Sequence, residues 1–319
     1  MADTPGRITL WGIEVFMATA EEESISAAAR RLAASPSAVS QQISNLEAAV
    51  GAELLNRRGR PVTLTPAGQV LRRRAQVILN EAAQVRAELA TMDLSALTQL
   101  RLGMIEDFDA DVTPHLLQHM AGDLTATQFL LETGPSHRLF DLLDTRGLDM
   151  VVAADMGAAA DWMEVHPLLT EPFVAATPRG AVAGDPMAAL QKLPLIQYTA
   201  RHHMGRMIAD HLARQNLTLS HRFELDSYHA IMAMVAGGAG WTILTPLGVM
   251  HARRFLEDVE VHPLPFAPLT RTISLSARRG VLQDMPAKVA GHLRPLLDDW
   301  VVAPALERYP FLNGALKRL

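Results

Sequence analysis

The sequence of 319 residues contains no cysteine, which excludes disulfide bonds, thiolate metal sites and a redox-sensing thiol. It also lacks a basic segment followed by an apolar run at its start, so nothing there resembles a secretion signal and we expect a cytoplasmic protein. Motifs typical of a nucleophile elbow, a phosphate-binding loop or a zinc-binding helix are missing as well. The composition, 49% hydrophobic and 20% charged, is that of a folded globular protein.

Long uninterrupted hydrophobic runs are also lacking, although one segment comes close. Residues 231–250 contain no Asp, Glu, Lys or Arg over a length near that needed to cross a bilayer. Three glycines between residues 237 and 240, followed by Pro246, interrupt this run. We therefore interpret it as a buried helix, a glycine turn, a short buried strand and a second turn, with no contact to a membrane.

The net charge of −5 is unevenly distributed along the chain. Residues 1–92 carry ten arginines and nine acidic residues, so the excess of acidic residues lies in the remaining 227 residues. Five arginines lie between residues 30 and 60 with only Glu47 and Glu53 to balance them. A local excess of positive charge is typical of a segment that contacts nucleic acid.

Two short helices joined by a tight turn are predicted inside this basic segment. The first, "SAAARRLAA", follows Ser24 and Ser26, either of which can cap it. The second lies in "AASPSAVSQQISNLEAAVG", residues 33–51, where Ser35 is the N-cap candidate and Pro36 takes the first helical position. The pattern predicts a helix-turn-helix, preceded by one further amphipathic helix.

A hairpin and a long helix are predicted next. "ELLNRRGRPVTLT" has apolar residues on both sides of an Arg-Gly-Arg turn, which predicts a wing with a basic tip. A helix of about 26 residues then starts at Thr65 and Pro66. Its thin apolar stripe is typical of a helix that pairs with a second copy of itself, and it consists of Val70, Leu71, Val77, Ile78, Val85 and Leu89.

Beyond residue 97, short apolar strands alternate with helical segments, which predicts parallel sheets with helices on their faces. We divide the chain into a winged helix-turn-helix domain (1–65), a linker and dimerisation helix (66–93), a two-lobed α/β domain (98–300) and a C-terminal tail (301–319). The first lobe contains 98–163 and 268–300, and the second contains 164–267. Because the chain crosses twice, we expect a ligand cleft between the lobes.

The sequence resembles the LysR-type transcriptional regulators over nearly its whole length. The specific part is "FMATAEEESISAAARRLAASPSAVSQQISNLEAAVGAELLNRRGRPVTLTPAG", and "GLDMVVAAD", "LLTEPFVAATP", "LPLIQY" and "MVAGGAGWTILTP" resemble segments of the family's effector-binding domain. The resemblance implies a DNA-binding homodimer built through the linker helix, commonly assembled into a homotetramer that contacts RNA polymerase. It also implies a C-terminal domain like the periplasmic binding proteins, in which a small molecule changes the DNA geometry.

The predicted DNA-contacting residues lie at the amino end of the second helix and in the wing. Val39, Ile43 and Leu46 form its buried stripe, which leaves the other face free for the major groove. Ser40 and Gln41 match positions where the family contacts DNA, whereas Pro36 stands where a glutamine is common and Ser37 where a proline is common. The predicted set is Ser35, Pro36, Ser37, Ser40, Gln41, Arg57, Arg58 and Arg60.

The predicted effector residues follow strands of both lobes, where ligands bind in α/β domains. Arg201 and a helix amino terminus at 200–203 favour an anionic group on the ligand, acids of the first lobe favour an amine or hydroxyls, and a zwitterion satisfies both. The set is Glu106, Asp107, Phe108, Ser136, Asp155, Tyr198, Thr199, Arg201, His202, Asp226 and Ser227. No metal site or cofactor is predicted, because the side chains of the adjacent His202 and His203 diverge.

Two other classes of protein remain as alternatives. One is an enzyme that uses the α/β region, and the other is a two-lobed small-molecule-binding protein without DNA function. The basic helix-turn-helix segment favours the regulator over both. DNA binding that weakens steeply with salt discriminates between them, because only neutralisation of phosphates produces that dependence.

Overall fold

The computed structural model describes residues 7–57, 59, 61–90 and 97–319, without the side chains at 83, 84 and 86–90. The chain divides into two compact units. The first contains the residues up to Leu94 together with Thr145–Gly147, and the second contains Ser95–Asp144 and Leu148–Leu319.

The first unit is a helix-turn-helix followed by a short hairpin and a long helix. Its elements are α1 (Leu10–Glu22), α2 (Ile25–Arg31), α3 (Pro36–Val50), β1 (Leu55–Asn56), β2 (Thr63–Leu64) and α4 (Pro66–Ala90). The strands β1 and β2 pair antiparallel, with Leu55 opposite Leu64. The predicted winged helix-turn-helix is confirmed.

Side-chain caps set the ends of the two helices around the turn. Ser24 Oγ accepts a hydrogen bond from the Ala27 amide at 3.3 Å, and Ser35 Oγ accepts one from the Ala38 amide at 3.2 Å. Each bond satisfies an amide that the first helical turn leaves unpaired. Gly51 ends α3 with φ of 72°, a left-handed conformation that glycine adopts without steric cost.

The buried stripe of α3 attaches it to the rest of the first unit. Val39, Ile43 and Leu46 are at most 2% exposed, and they belong to one core cluster with Ile13 and Phe16 of α1. Each such side chain contributes roughly 1.5–3 kcal/mol by leaving water. The stripe is therefore structural, as its spacing predicts.

The long helix α4 spans 25 residues and carries exposed apolar side chains. Val70, Ile78 and Val85 are 54%, 38% and 50% exposed. The side chain of Leu89, the last position of the predicted stripe, lies outside the described residues. An apolar surface of this kind is typical of a helix that pairs with another chain.

The second unit contains eleven strands and eight helices within the described residues. The strands are β3 (Gln99–Met104), β4 (Gln128–Thr133), β5 (Met150–Ala154), β6 (Met163–Pro172), β7 (Val174–Pro178), β8 (Leu195–Tyr198), β9 (His221–Leu225), β10 (Thr242–Leu244), β11 (Val259–Pro263), β12 (Thr270–Arg278) and β13 (Lys317–Arg318). The helices are α5 (Val112–Asp123), α6 (Ser136–Asp144), α7 (Pro186–Leu190), α8 (His203–Arg214), α9 (Tyr228–Ala236), α10 (Pro246–His251), α11 (Met285–Leu297) and α12 (Ala303–Arg308).

The first lobe is built on a six-stranded sheet in the order β13-β6-β12-β5-β3-β4. The second lobe contains a three-stranded sheet, β10-β7-β11, and the strand pair β8-β9. A bridge between Leu195 of β8 and Trp241, the residue before β10, connects the pair to the sheet. Parallel sheets were expected, and the sheets are mixed. β3 runs parallel to β4 and β5, but β12 runs antiparallel to β5 and β6. The strands β6 and β12, called the crossing strands below, connect the first lobe to the second, and both belong to the first sheet.

The boundary between the lobes also differs from the prediction. The expected change at residue 164 falls inside β6, which pairs with β12 as far as Pro172 opposite Thr270. The Phe173 amide donates to the Leu269 carbonyl at 2.8 Å, so the two crossing segments lie side by side. The second lobe therefore contains residues 173–269.

The segment predicted as a separate tail belongs to the first lobe. β13 pairs antiparallel with β6, with Lys317 opposite Thr170. The charge-free segment 231–250 forms the end of α9, the glycine turn, β10 and α10, so its last part is a short helix where a turn was expected. Within the described part of the chain, no helix has both the length and the hydropathy needed to cross a membrane.

Candidate DNA interface and ligand cleft

The amino end of α3 presents polar side chains to solvent. Ser35, Pro36, Ser37 and Gln41 are exposed, and Ser40 is half-buried. The hydroxyls of Ser35 and Ser37 are 3.0 Å apart. The predicted contact residues of α3 therefore share one surface, opposite its buried stripe.

Gln41 and Arg57 already have partners within the first unit. The Gln41 amide donates to Asn45 Oδ1 at 2.9 Å, one helical turn further on. Arg57 pairs with Glu47 and donates to Ser44 Oγ at 3.3 Å. Arg57 thus connects the hairpin to α3, and Glu47 offsets its charge, which weakens the prediction that it contacts phosphate.

The other two predicted wing contacts, Arg58 and Arg60, lie outside the described residues. The same Glu47 that pairs with Arg57 also accepts the amides of Leu54 at 2.8 Å and Leu55 at 3.3 Å through Oε1. Those three contacts fix the start of the hairpin relative to α3.

In the second unit, a cleft lies between the two lobes beside the crossing strands. Five predicted effector residues line it: Glu106 and Asp107 follow β3, Ser136 starts α6, Tyr198 ends β8, and His202 precedes α8. The Ser136 hydroxyl accepts a hydrogen bond from the Ala154 amide at 3.1 Å. Both lobes therefore contribute polar groups to the cleft, as the positions after the strands predict.

A buried ion network that sequence reasoning missed forms the base of this cleft. Arg271, at the start of β12, donates to Asp107 Oδ1 at 2.7 Å and to Glu171 Oε1 at 2.7 Å. It also donates to the Thr245 hydroxyl at 3.2 Å, and Tyr228 donates to Asp107 Oδ1 at 3.3 Å.

In this network the Arg271 guanidinium pairs with two carboxylates, so its positive charge is already neutralised. Burial raises the pKa of Glu171 to about 6, although the Arg271 guanidinium acts to lower it. Burial also raises the pKa of Glu106, and the neighbouring Asp107 carboxylate raises it further. Charged groups inside the cleft are thus predominantly acidic.

The remaining titratable groups of the cleft are neutral at pH 7. Burial lowers the pKa values of His202 and His203. Burial raises the pKa values of Tyr198 and Tyr228, so both hydroxyls stay protonated and can donate hydrogen bonds. The cleft offers hydroxyl, imidazole and carboxylate groups for binding.

Arg201 does not line the cleft. Its side chain is 77% exposed and pairs with Asp226, itself 54% exposed, at 3.4 Å. Its Nε also donates to the Thr199 hydroxyl at 3.2 Å. Thr199 in turn donates to Glu224 Oε1 at 2.6 Å. Arg201 and Asp226 therefore form an exposed pair beside the end of β8, and the buried Thr199 holds the Arg201 side chain there.

The other three predicted effector residues also lie elsewhere. Phe108 is completely buried, and Ser227 caps α9 by accepting the Ala230 amide at 3.4 Å. Asp155 lines a second cavity within the first lobe, together with His137 and others. Not every side chain that follows a strand is available to a ligand, because Ser227 caps a helix and Phe108 packs in the core.

Each of the two units matches the model of a known protein family. The profile "Bacterial regulatory helix-turn-helix protein, lysR family" matches residues 10–69, and "LysR substrate binding domain" matches residues 96–297. The chain belongs to the LysR family of transcriptional regulators. The helix-turn-helix is therefore its DNA-binding part, and the second unit is its effector-binding domain.

Individual LysR-type proteins agree with this assignment. A probable hydrogen peroxide-inducible genes activator of Mycobacterium avium is 30% identical over 250 residues, which are 76% of this chain and 80% of that protein. A full-length OxyR variant from Pseudomonas aeruginosa, with a cysteine replaced by aspartate, superposes with a TM-score of 0.65 at 22% identity, over 91% of this chain and 95% of that one.

A LysR-family structure bound to DNA shows the same fold. Full-length CbnR complexed with its target DNA has a TM-score of 0.64 at 19% identity, and the match covers 91% of this chain and 100% of CbnR. At such identities the likeness shows the fold alone. The specific residues that contact DNA and ligand have to be argued from this chain.

Proposed function

We propose that this LysR-type regulator contacts base edges through the amino end of α3, and that a small molecule in the cleft changes the geometry of the bound DNA. The observation that carries the proposal is the cleft beside the crossing strands, lined from both lobes. A ligand that touches both lobes there can change their relative position, because only two short segments connect them. To cause such a change, the ligand has to bind one arrangement of the lobes more tightly than another.

On the DNA side, Ser37, Ser40 and Gln41 are the residues best suited to specify sequence. A glutamine amide can pair with adenine in the major groove, and a serine hydroxyl can either donate or accept a hydrogen bond there. Pro36 offers neither a side-chain donor nor an acceptor, so it positions the helix without contacting bases. Arg58 and Arg60 are proposed to contact the backbone or the minor groove from the wing.

The DNA proposal is tested with a duplex selected from a randomised pool by the purified protein. Gln41→Ala should weaken binding to this duplex by roughly 1–3 kcal/mol while leaving binding to a scrambled duplex unchanged. Gln118→Ala, an exposed helical glutamine of α5, is the control. Equal losses for both duplexes would contradict a role for Gln41 in specificity, and binding insensitive to salt would contradict DNA recognition altogether.

The exposed stripe of α4 supports a homodimer formed through this helix, and a tetramer is the expected further assembly. Val70, Ile78 and Val85 are one or more helical turns apart and exposed. Burying them against a copy of the same helix would remove apolar surface that a monomer leaves in water.

We propose a zwitterionic effector, such as an amino acid. Glu106 is a half-buried carboxylate available to an ammonium group, since Arg271 pairs with Asp107 and Glu171 instead. The first turn of α8, which lines the cleft through His203 and Met204, offers backbone amides to a carboxylate. This assigns the anionic group to backbone donors, in place of the exposed Arg201.

Relatives named as peroxide-inducible activators suggest oxidation as an alternative signal. This chain has no cysteine, so formation of a disulfide or a sulfenic acid within it is chemically impossible. The proposal therefore rests on reversible binding of a small molecule.

The effector proposal is tested by the melting temperature of the protein with matched amino acids, amines and carboxylates. A ligand of the folded state raises the melting temperature by mass action. The amino acids should give the largest shift, and Glu106→Gln should remove it while the exposed-site control Glu307→Gln retains it. No shift in any class would contradict the effector proposal, and a shift that Glu106→Gln leaves intact would contradict the site.

A further inference from the structure

Three side chains of types that can bind a metal come together in the first lobe, from two helices that lie far apart along the chain. His119 and Asp123 lie on α5, and His292 lies on α11. Their candidate ligand atoms all lie within 4.8 Å of one another, and the centroids of the two imidazole rings are 4.1 Å apart. The cluster brings two nitrogen ligands and one carboxylate to a single point.

Regular helices hold all three residues in place. His119 and Asp123 are four residues apart, so their side chains project from the same face of α5. α11 packs against α5, with Leu116 and Met120 buried on one helix and Leu293 on the other. The cluster lies at the rim of this packed interface, where solvent and ions have access.

The three side chains have no competing polar partner among the described residues. None of them makes a hydrogen bond or an ion pair in that part of the chain. Other histidines of the second unit differ: His115 Nδ1 lies 2.5 Å from the Asp111 carbonyl, and His251 lies 3.7 Å from Asp109. The unpaired nitrogens and carboxylate of the cluster are therefore free to coordinate.

We propose that His119, Asp123 and His292 bind one divalent transition-metal ion, with Zn²⁺ as the best match. Imidazole and carboxylate suit Zn²⁺, Ni²⁺ and Co²⁺, whereas Mg²⁺ and Ca²⁺ require more oxygen ligands than this cluster provides. Three protein ligands leave a fourth position for water.

The geometry requires only small movements for coordination. In a tetrahedral zinc site with bonds near 2.1 Å, ligand atoms lie about 3.4 Å apart. The largest separation here is within 4.8 Å, so the ligand atoms need to approach by at most about 1.4 Å. Rotation of His119 and Asp123, both exposed, supplies that movement without shifting the helices.

A bound ion would connect α5, the first long helix of the lobe, to α11, which follows its last long strand. The sequence predicts no metal site, because the side chains of its adjacent histidines, His202 and His203, diverge. The spacing of His119 and Asp123 was visible in "HMAGD", but the packing that brings His292 beside them was not.

The test is titration of the metal-free full-length protein with ZnCl₂ by calorimetry and with CoCl₂ by absorption spectroscopy. We expect one ion per chain, a Co²⁺ spectrum of nitrogen and oxygen ligation, and a higher melting temperature with Zn²⁺. His119→Ala and His292→Ala should each weaken binding at least about tenfold. His221→Ala, an exposed histidine of β9, should leave it unchanged.

The metal-free melting temperature shows whether each variant folds, and Asp123→Asn is the further variant if a histidine variant does not. A parent protein that binds no ion would overturn the proposal. So would binding that persists in both His119→Ala and His292→Ala, because the ion would then occupy another site, such as the neighbouring rings of His229 and His251.

Discussion

Replacing Arg271 with methionine should destabilise the effector domain strongly at neutral pH. The variant leaves the carboxylates of Asp107 and Glu171, 3% and 0% exposed, without their cation. Removing one partner of a buried ion pair costs about 3–5 kcal/mol. For a domain of about 200 residues, this lowers the melting temperature by roughly 6–20 °C, at about 2–4 °C per kcal/mol.

The loss should shrink as the pH falls. Burial raises the pKa of Glu171 from 4.5 to about 6 in the parent, so the folded state binds the proton more tightly than the unfolded state. Its charged form therefore costs about 2 kcal/mol above pH 6, and this cost disappears below pH 4.5. Without Arg271 the pKa rises further, so protonation should restore much of the lost stability by pH 5.

The assay is thermal unfolding followed by circular dichroism at pH 7.5 and pH 5.0. Arg253→Met is the matched control, because Arg253 is 58% exposed and pairs with Asp111 at the surface. That variant should lose no more than about 1 kcal/mol. The reasoning is refuted if Arg271→Met melts with the parent at pH 7.5, or if its deficit is the same at both pH values.

Three further predictions concern a buried charge, a closely packed glycine and the exposed stripe of α4. Glu171→Gln should flatten the change in stability between pH 4.5 and 6 by about 2 kcal/mol, and an unaltered pH profile would contradict the buried charge. Gly205→Ala should lower the melting temperature, since its Cβ would lie 2.0 Å from the Thr199 carbonyl oxygen, whereas Gly291→Ala, with open space, should be neutral or stabilising. Ile78→Glu should shift the protein toward monomer in analytical ultracentrifugation, and an unchanged mass would contradict pairing through α4.

Local patterns determined the first unit almost completely. The caps at Ser24 and Ser35, the stripe of Val39, Ile43 and Leu46, and the turn at Gly51 all act within one helix or one turn. Such short-range signals are present in the sequence itself. The partner of Arg57 was not predictable in this way, because Glu47 lies ten residues away on a different element.

Long-range pairing explains what the sequence did not reveal in the second unit. The strand β6 reads as part of the second lobe until its pairing with β12 assigns it to the first sheet. Arg271 and Glu171 lie a hundred residues apart, so the sequence alone does not show that they pair at the base of the cleft. Arg201 was preferred because it follows a predicted strand, yet its own neighbours Thr199 and Asp226 hold it at the surface.

The central claim is that a ligand in the cleft changes how the protein holds DNA. The most direct measurement is the bend of the selected duplex, by fluorescence energy transfer between its ends, with and without the amino acid that most raises the melting temperature. We predict a change in bend for the parent and for Glu307→Gln, and none for Glu106→Gln. An amino acid that binds the parent but leaves both the bend and the affinity for DNA unchanged would contradict the claim, since coupling between two sites is reciprocal.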